Sequence, residues 1–257
     1  MDIYQHFRAE ERPFIDQVLS WQTEVERQFQ RKQSDFLDPR EQYIFQSLLG
    51  NHPDLVWSMS GGKDHTERKR AILAPYYENI ALEDFALTLL EAEYPEKFIQ
   101  ISHRDVLGAF MSLGIKRQKV GDLTAGDGKV QIVVASEISD FVKMNLTGIK
   151  KATLNFSQVP MEHMNENHEY WMHQDTTVSS LRLDNIVKEI YRISRNKAVL
   201  YIERGLVKVN FRTVEHPSFQ MEAGDIISLR GKGRSKLTEI HGVTKKEKYK
   251  ITTAKLK

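Results

Sequence analysis

The chain contains no cysteine. This absence excludes disulfides, thiolate metal sites and cysteine nucleophiles, and it permits a reducing compartment. No apolar run reaches membrane-spanning length, and the Met1 end, MDIYQHFRAEERPF, carries charges too early and too often for a secretory leader. A cytoplasmic protein without membrane attachment is therefore expected. The formal net charge is only +2, so the chain as a whole is neither a polycation nor a polyanion.

That small net charge hides a division. Residues 180–257 hold 18 Lys+Arg against 8 Asp+Glu, a net +10, whereas residues 1–179 hold 19 against 27, a net −8. Polarisation on this scale predicts one end built to face a polyanion. With 257 residues and 40% hydrophobic content, the chain can bury the cores of two or three small domains.

The first fifty residues read as helical. RPFIDQVLSWQTEVERQF spaces its apolar side chains at helical period, and DPREQYIFQSLLGN repeats the pattern with Asp38 as N-cap, Pro39 at the first helical position and Gly50 as C-cap. LVWSMSGG and KRAILAPYY then read as two strands, giving a helical and β region over 1–75. From 76 to 160, DFALTLLEAEY, KFIQIS, HRDVLGAFMSLGI, QKVGDLT, KVQIVVA, SEISDFVKMNL and KKATLNFSQV read as strand, strand, helix, strand, strand, helix, strand. Helices interleaved with strands in this order predict a ferredoxin-like domain, with Gly126, Asp127 and Gly128 turning its hairpin. Residues 161–176 are polar and read as a linker. Residues 177–257 form the last domain, and the fold class is α+β.

In that last domain SSLRLDNIVKEIYRISRNKAVLYIERGLVKVN gives two short helices, the first entered through Asp184 and the second capped by Ser194 and ended by Gly205. Arg195 and Lys197 flank the positive end of the second helix, which makes an anion site suited to a nucleic-acid phosphate. LVKVNFRTV alternates, sending Val207, Val209 and Phe211 one way and Lys208, Asn210 and Arg212 the other. AGDIISLRGKGRSKL places Arg230, Lys232, Arg234 and Lys236 around two glycines that let backbone approach a ligand.

RLD, SRNKA, IERGLVKVN and AGDIISLRGKGR resemble, in order and spacing, the S-four RNA-binding domain, or αL motif, over about residues 180–236. The resemblance implies phosphate contacts by Arg182, Arg195, Lys197, Arg230, Lys232 and Arg234, and Lys208 joins them as an RNA-facing candidate. SHRDVLGAFMSLGIKRQKVGDL is in turn similar to the RNA-binding domain of the YlmH family. With the helical start and the SGG…ERKRAILAP segment, that likeness runs over nearly the full chain and matches the family at His103, Arg104, Asp105, Gly114, Arg117, Gly121 and Asp122. Arg104, Lys116, Arg117 and Lys119 are candidates for a second, weaker RNA contact, and Phe98 and Phe156 for base stacking. The resemblance implies a non-enzymatic factor that needs no cofactor and is monomeric off the ribosome. It also implies binding to ribosomal RNA and tRNA on the large subunit, a protein partner, and assistance to ribosome-associated quality control through alanine tailing of stalled chains. The alternatives are a ribosome-assembly or cell-division-linked RNA-binding protein, or an RNA-modifying enzyme.

Other chemistry finds little support. HRD lacks the Asn spacing, glycine-rich loop and metal motif of a kinase, and Ser102 with Asp105 reads instead as a variant capping box. No room follows Asp184 for a pseudouridine synthase domain, and the His-x-Gly-His and Lys-Met-Ser-Lys-Ser signatures of tyrosyl-tRNA synthetases are missing. His163, His168 and His173 recur at a five-residue spacing that puts them on no common helical face, so no metal site is expected. Arg68, Lys69 and Arg70 read as a solvated loop able to touch RNA.

Overall fold

A computed structural model describes residues 3–50, 52–165 and 170–256. The chain folds as two compact units, 1–167 and 168–257. The boundary expected at residue 75 therefore falls inside the first unit.

The first unit begins with α1 (Arg12–Gln28), β1 (Lys32–Leu37), α2 (Pro39–Leu49), β2 (Leu55–Ser60) and β3 (Lys69–Pro75). The Asp38 side chain accepts from the Arg40 and Glu41 amides and the Glu41 carboxylate accepts from Asp38 N–H, closing the cap that starts α2. The strands pair antiparallel in the order β1-β3-β2, and Ile15, Val18, Ile44 and Phe45 pack against Leu37 and Leu73. Strand β1 corrects the all-helical reading of the first fifty residues. Its segment KQSDFL is polar at its start, and a bulge between Gln33 and Phe36 breaks the alternation that marks a strand.

The unit continues through β4 (Leu87–Glu93), α3 (His103–Met111), β5 (Val120–Gly126), β6 (Lys129–Ala135), α4 (Ser139–Asn145), a small hairpin of β7 (Gly148–Ile149) and β8 (Ala152–Thr153), and β9 (Ser157–Val159). The order β5-β6-β4-β9, antiparallel throughout, is that of a split βαβ arrangement. Asp127 and Gly128 turn the β5–β6 hairpin with φ of 52° and 72°. KFIQIS is not a strand: Pro95 breaks the chain into a turn, and Ile101 drops into the core with Val106, Phe110, Ile132 and Val142. The sheet's other face carries Leu89, Val133 and Ala135, which Phe36 of β1 and Met164 cover. This contact fuses the two amino-terminal regions.

Arg68 and Arg70, read as solvated, are 4% and 5% exposed. Arg70 donates to the carbonyls of Ser34 (3.0 Å), Phe85 (3.1 Å) and Ala86 (3.2 Å), and Arg68 donates to that of Phe36 (2.9 Å). Each arginine is thus held inside the fold by main-chain carbonyls, of which that of Ala86 also accepts from Ser136 N–H (2.8 Å).

The second unit contains β10 (Trp171–Val178), α5 (Leu183–Tyr191), α6 (Arg195–Glu203), β11 (Val207–Val209), β12 (Arg212–Thr213), β13 (Ile226–Leu229), β14 (Gly233–Val243) and β15 (Tyr249–Leu256). Its six strands run β10-β15-β14-β13-β11-β12, all antiparallel. One face packs on the helices through Ile186, Val187, Ala198, Ile202, Val207, Ile227 and Leu237. Residues 161–176 are no plain linker: Met161–His163 is a 3-10 turn and Trp171 opens β10, paired along its length with β15. Of the three histidines, His163 lies in that turn, His173 lies on β10, and His168 falls outside the described residues.

Candidate nucleic-acid interface

The centre of the second unit's cationic surface is a carboxylate. Asp184 lies inside the first turn of α5 and is 1% exposed, whereas Arg182 holds the N-cap position that the sequence suggested for it. Arg182 Nε and Nη2 donate to the two Asp184 oxygens at 3.1 Å, and Arg195, at the start of α6, donates through Nε to Oδ2 at 3.0 Å. Burial alone would raise the Asp184 pKa, but the hydrogen bonds from Arg182 and Arg195 outweigh it and hold the carboxyl below its ordinary value. One buried anion thus fixes two arginines from two helices. The Arg195 side chain remains 61% exposed, with guanidinium N–H groups left for a phosphate.

Ser194 Oγ accepts from the Lys197 amide at 3.3 Å, so α6 starts at the expected cap with Lys197 in its first turn. Lys197 is exposed, with its ammonium 5.9 Å from the Tyr201 ring centre. The loop between β13 and β14 brings up Arg230 and Lys232, both exposed. It is anchored at one end by Arg230 N–H donating to Leu206 carbonyl (2.9 Å) and at the other by the Tyr191 hydroxyl donating to Gly233 carbonyl (3.0 Å). Gly231 and Gly233, at φ of 80° and 88°, supply the left-handed turns this needs.

Lys208 and Arg234 do not belong to this surface. Val207 and Val209 on β11, and Ser235 and Leu237 on β14, point to the helices, so the intervening Lys208, Arg234 and Lys236 project from the opposite face. The predicted alternation through Phe211 also fails, because Asn210 and Phe211 form the turn between β11 and β12 with φ of 46° and 67°. Asn210 is held there by donating to the buried Asp225 (2.7 Å).

The second-contact candidates lie in the first unit, where Lys116 is exposed and Lys119 is held by Asp35 and Glu137. Arg104 is exposed in the first turn of α3, behind the capping box of Ser102 and Asp105. Lys150 and Ser102 hydrogen bonds bring the Asp105 carboxyl down to about 2. Arg117 turns inward, donating to the carbonyls of Val120 (2.5 Å) and Gly121 (3.3 Å), and burial lowers its pKa to about 10. Asp122 accepts from the amides of Glu67 (2.7 Å) and Arg68 (3.0 Å), and a side chain at Gly121 would strike the Phe36 ring. Of the matched residues, Gly121 and Asp122 therefore join the two halves of this unit, while Arg117 braces the turn that leads into β5. Phe98 is 85% exposed but sits in a turn, and Phe156 is buried under the helices, so neither presents a ring on the sheet.

Sequence reasoning missed Asp184 as the clamp of the site. It also missed Trp171, whose ring centre lies 6.0 Å from the Arg234 guanidinium, with that of Phe211 at 5.7 Å. The only signal for Trp171 was an aromatic residue at the edge of a polar stretch.

A helix pair that offers fixed arginines, a capped cationic helix start and an anchored basic loop defines an RNA-binding module of the S-four type. Residues 181–227 match the family described as S4 domain, and residues 81–163 match the one described as "Putative RNA-binding domain in YlmH". The ribosome-associated protein quality control protein P2 of Bacillus subtilis is 44% identical over 251 residues, covering 98% of this chain and 97% of its own length. The cell division protein YlmH from Streptococcus pneumoniae has a solved structure that matches with a TM-score of 0.54 and 28% identity, over 63% of this chain and 99% of that one. Small ribosomal subunit protein uS4 of Caldicellulosiruptor bescii is 39% identical over 71 residues, 26% of this chain and 32% of that protein. The chain belongs to the YlmH family. It is a homologue of a ribosome-associated quality control protein and carries that family's RNA-binding domains.

Proposed function

We propose that this protein is a non-enzymatic factor that binds the large ribosomal subunit, contacting ribosomal RNA and tRNA, and assists alanine tailing of stalled nascent chains. The observation that carries the reading is the Asp184 clamp, which presents Arg182 and Arg195 beside the Ser194-capped start of α6 on a segment, residues 180–257, with net charge +10. Fixed arginines lose little conformational entropy on meeting a phosphate, and the helix start adds its own positive field. The helical surface grips ribosomal RNA. The acidic first unit faces tRNA-bound or protein partners, and the protein works in the cytoplasm as a monomer when off the ribosome. Full-length likeness to a quality control protein supports the same reading. Among the described residues no helix is long and apolar enough to cross a membrane.

The test is cosedimentation with purified large subunits. The variant Lys197→Glu/Arg230→Glu/Lys232→Glu changes exposed side chains and leaves the Asp184 clamp whole, so it should fold and fail to cosediment. Retained cosedimentation of the folded variant would reject the proposal. The description of the Streptococcus relative as a cell division protein favours a second reading, in which the same RNA grip serves division. That reading predicts normal alanine tailing in cells lacking the protein.

A further inference from the structure

We propose that the sheet face of the second unit opposite its helices is a second RNA-contact surface, where an unpaired base stacks on Trp171 and Phe211 and where Arg234, Lys208 and Lys236 meet flanking phosphates. This deepens the RNA-binding reading and rests on it.

The register of the sheet builds the surface. Lys208 pairs with Ser228 and Ser228 with Arg234, while Trp171 pairs with Leu256 on the far side of β15. Ser235 pairs with Lys255, so the register carried one residue on sets Arg234 opposite Leu256. One row of outward side chains thus crosses the sheet from Trp171 on edge strand β10, through Arg234, to Lys208 on β11. The Arg234 guanidinium lies 6.0 Å from the Trp171 ring centre and 5.7 Å from that of Phe211, so two rings and a planar cation gather on one sheet face. Lys236 continues the charge along the same strand. The acidic residues of this face, Asp175 and Glu239, stand towards its other end, where Asp175 accepts from the Thr252 hydroxyl and Glu239 pairs with His241.

Phe211 is the informative residue. It occupies the second place of a two-residue hairpin turn at φ of 67°, where a bulky side chain is strained and glycine is not. The equivalent place in the β5–β6 hairpin is Gly128. A ring kept at a position that disfavours it, beside a cation and a second ring, fits a role in contact better than one in turn formation. Stacked rings bordered by cations recognise the open face of an unpaired base, which a duplex hides. With the clamp on the helical side and this row on the other, one small unit meets two RNA segments at once.

The experiment titrates the full chain against a labelled short oligouridine by fluorescence anisotropy, and against large subunits by cosedimentation, beside the variants Phe211→Gly and Trp171→Ala. Photocrosslinking to 4-thiouridine in the same oligonucleotide maps the contact. Phe211→Gly relieves the strained turn, so it should fold at least as stably as the wild type and yet bind the oligonucleotide about tenfold more weakly. Its cosedimentation should be retained, with wild-type crosslinks at Trp171 or Phe211. Unchanged oligonucleotide affinity in both variants, crosslinks elsewhere, or no oligonucleotide binding by a wild type that still cosediments would overturn this inference alone. Failure of the wild type on both RNAs would overturn the RNA-binding reading itself.

Discussion

Asp122 in the first unit and Asp184 in the second are both carboxylates drawn out of water beside arginines, and their neighbourhoods work in opposite directions. Around Asp122 the partners are backbone amides of Glu67 and Arg68, while Arg68 and Arg117 turn their guanidinium groups inward to main-chain carbonyls. Burial dominates there and raises the Asp122 pKa. Around Asp184 the arginines donate to the carboxylate itself and keep their outer edges at the surface. The same residue types bind two halves of a fold together in one place and prepare a surface for phosphate in the other. What separates the two is whether an arginine finds a carbonyl or a carboxylate, and adjacency in sequence does not reveal that.

The largest break should come from Arg70→Met, which takes the buried guanidinium away from the Ser34 and Phe85 carbonyls and from Glu137 (3.5 Å), and leaves the Ala86 carbonyl with Ser136 N–H alone. A loss of at least about 3 kcal/mol is expected in urea denaturation of the intact protein. Asp184→Asn removes the anion that fixes Arg182 and Arg195 and should cost about 2 kcal/mol at neutral pH. Because the folded pKa of Asp184 is depressed, its stabilisation is present above the unfolded value and is lost as pH falls through the folded one. The gap between wild type and Asp184→Asn should therefore narrow on acidification. Asp122→Asn should cost less, about 1 kcal/mol, with the opposite trend. Its raised folded pKa means that stability is greatest with the carboxyl protonated and declines as pH rises through the folded value, so that gap narrows towards neutral pH. Denaturation midpoints of the three proteins across the acid range check both signs.

The sequence made the S-four unit legible because its signals are local. Ser194 is a cap three residues before the amide it bonds, Gly205 ends α6 at φ of 65°, and the helices carry one apolar face. The split βαβ order was legible for the same reason, through strands and helices of ordinary length. Strand β1 was hidden by polar residues and a bulge, and KFIQIS imitated a strand until Pro95 turned it. The RKR run was misread because charge normally argues for solvent. The partners that bury Arg70 stand up to 36 residues away along the chain, beyond any local window. Trp171 was lost because its polar stretch has no apolar alternation and becomes a strand only by pairing with β15.

The finest test of the comparison sets one lysine from each unit against the other. Lys119 is held between Asp35 (2.6 Å) and Glu137 (3.0 Å), and the Asp35 hydrogen bond raises its pKa. Lys197 stands exposed in the first turn of α6, and among the described residues no carboxylate lies within ion-pair distance of it. A lysine already neutralised within the protein releases no counterion when RNA binds, whereas one that meets a phosphate does. Lys197→Gln should therefore reduce the slope of log affinity against log salt by about 0.9 on a duplex target, while Lys119→Gln leaves it unchanged. Affinity for a ribosomal RNA stem measured over a range of salt concentrations reads both slopes. Equal slopes for the two variants would mean that the first unit also lays its cations on RNA, and the division of labour drawn from Asp122 and Asp184 would fail.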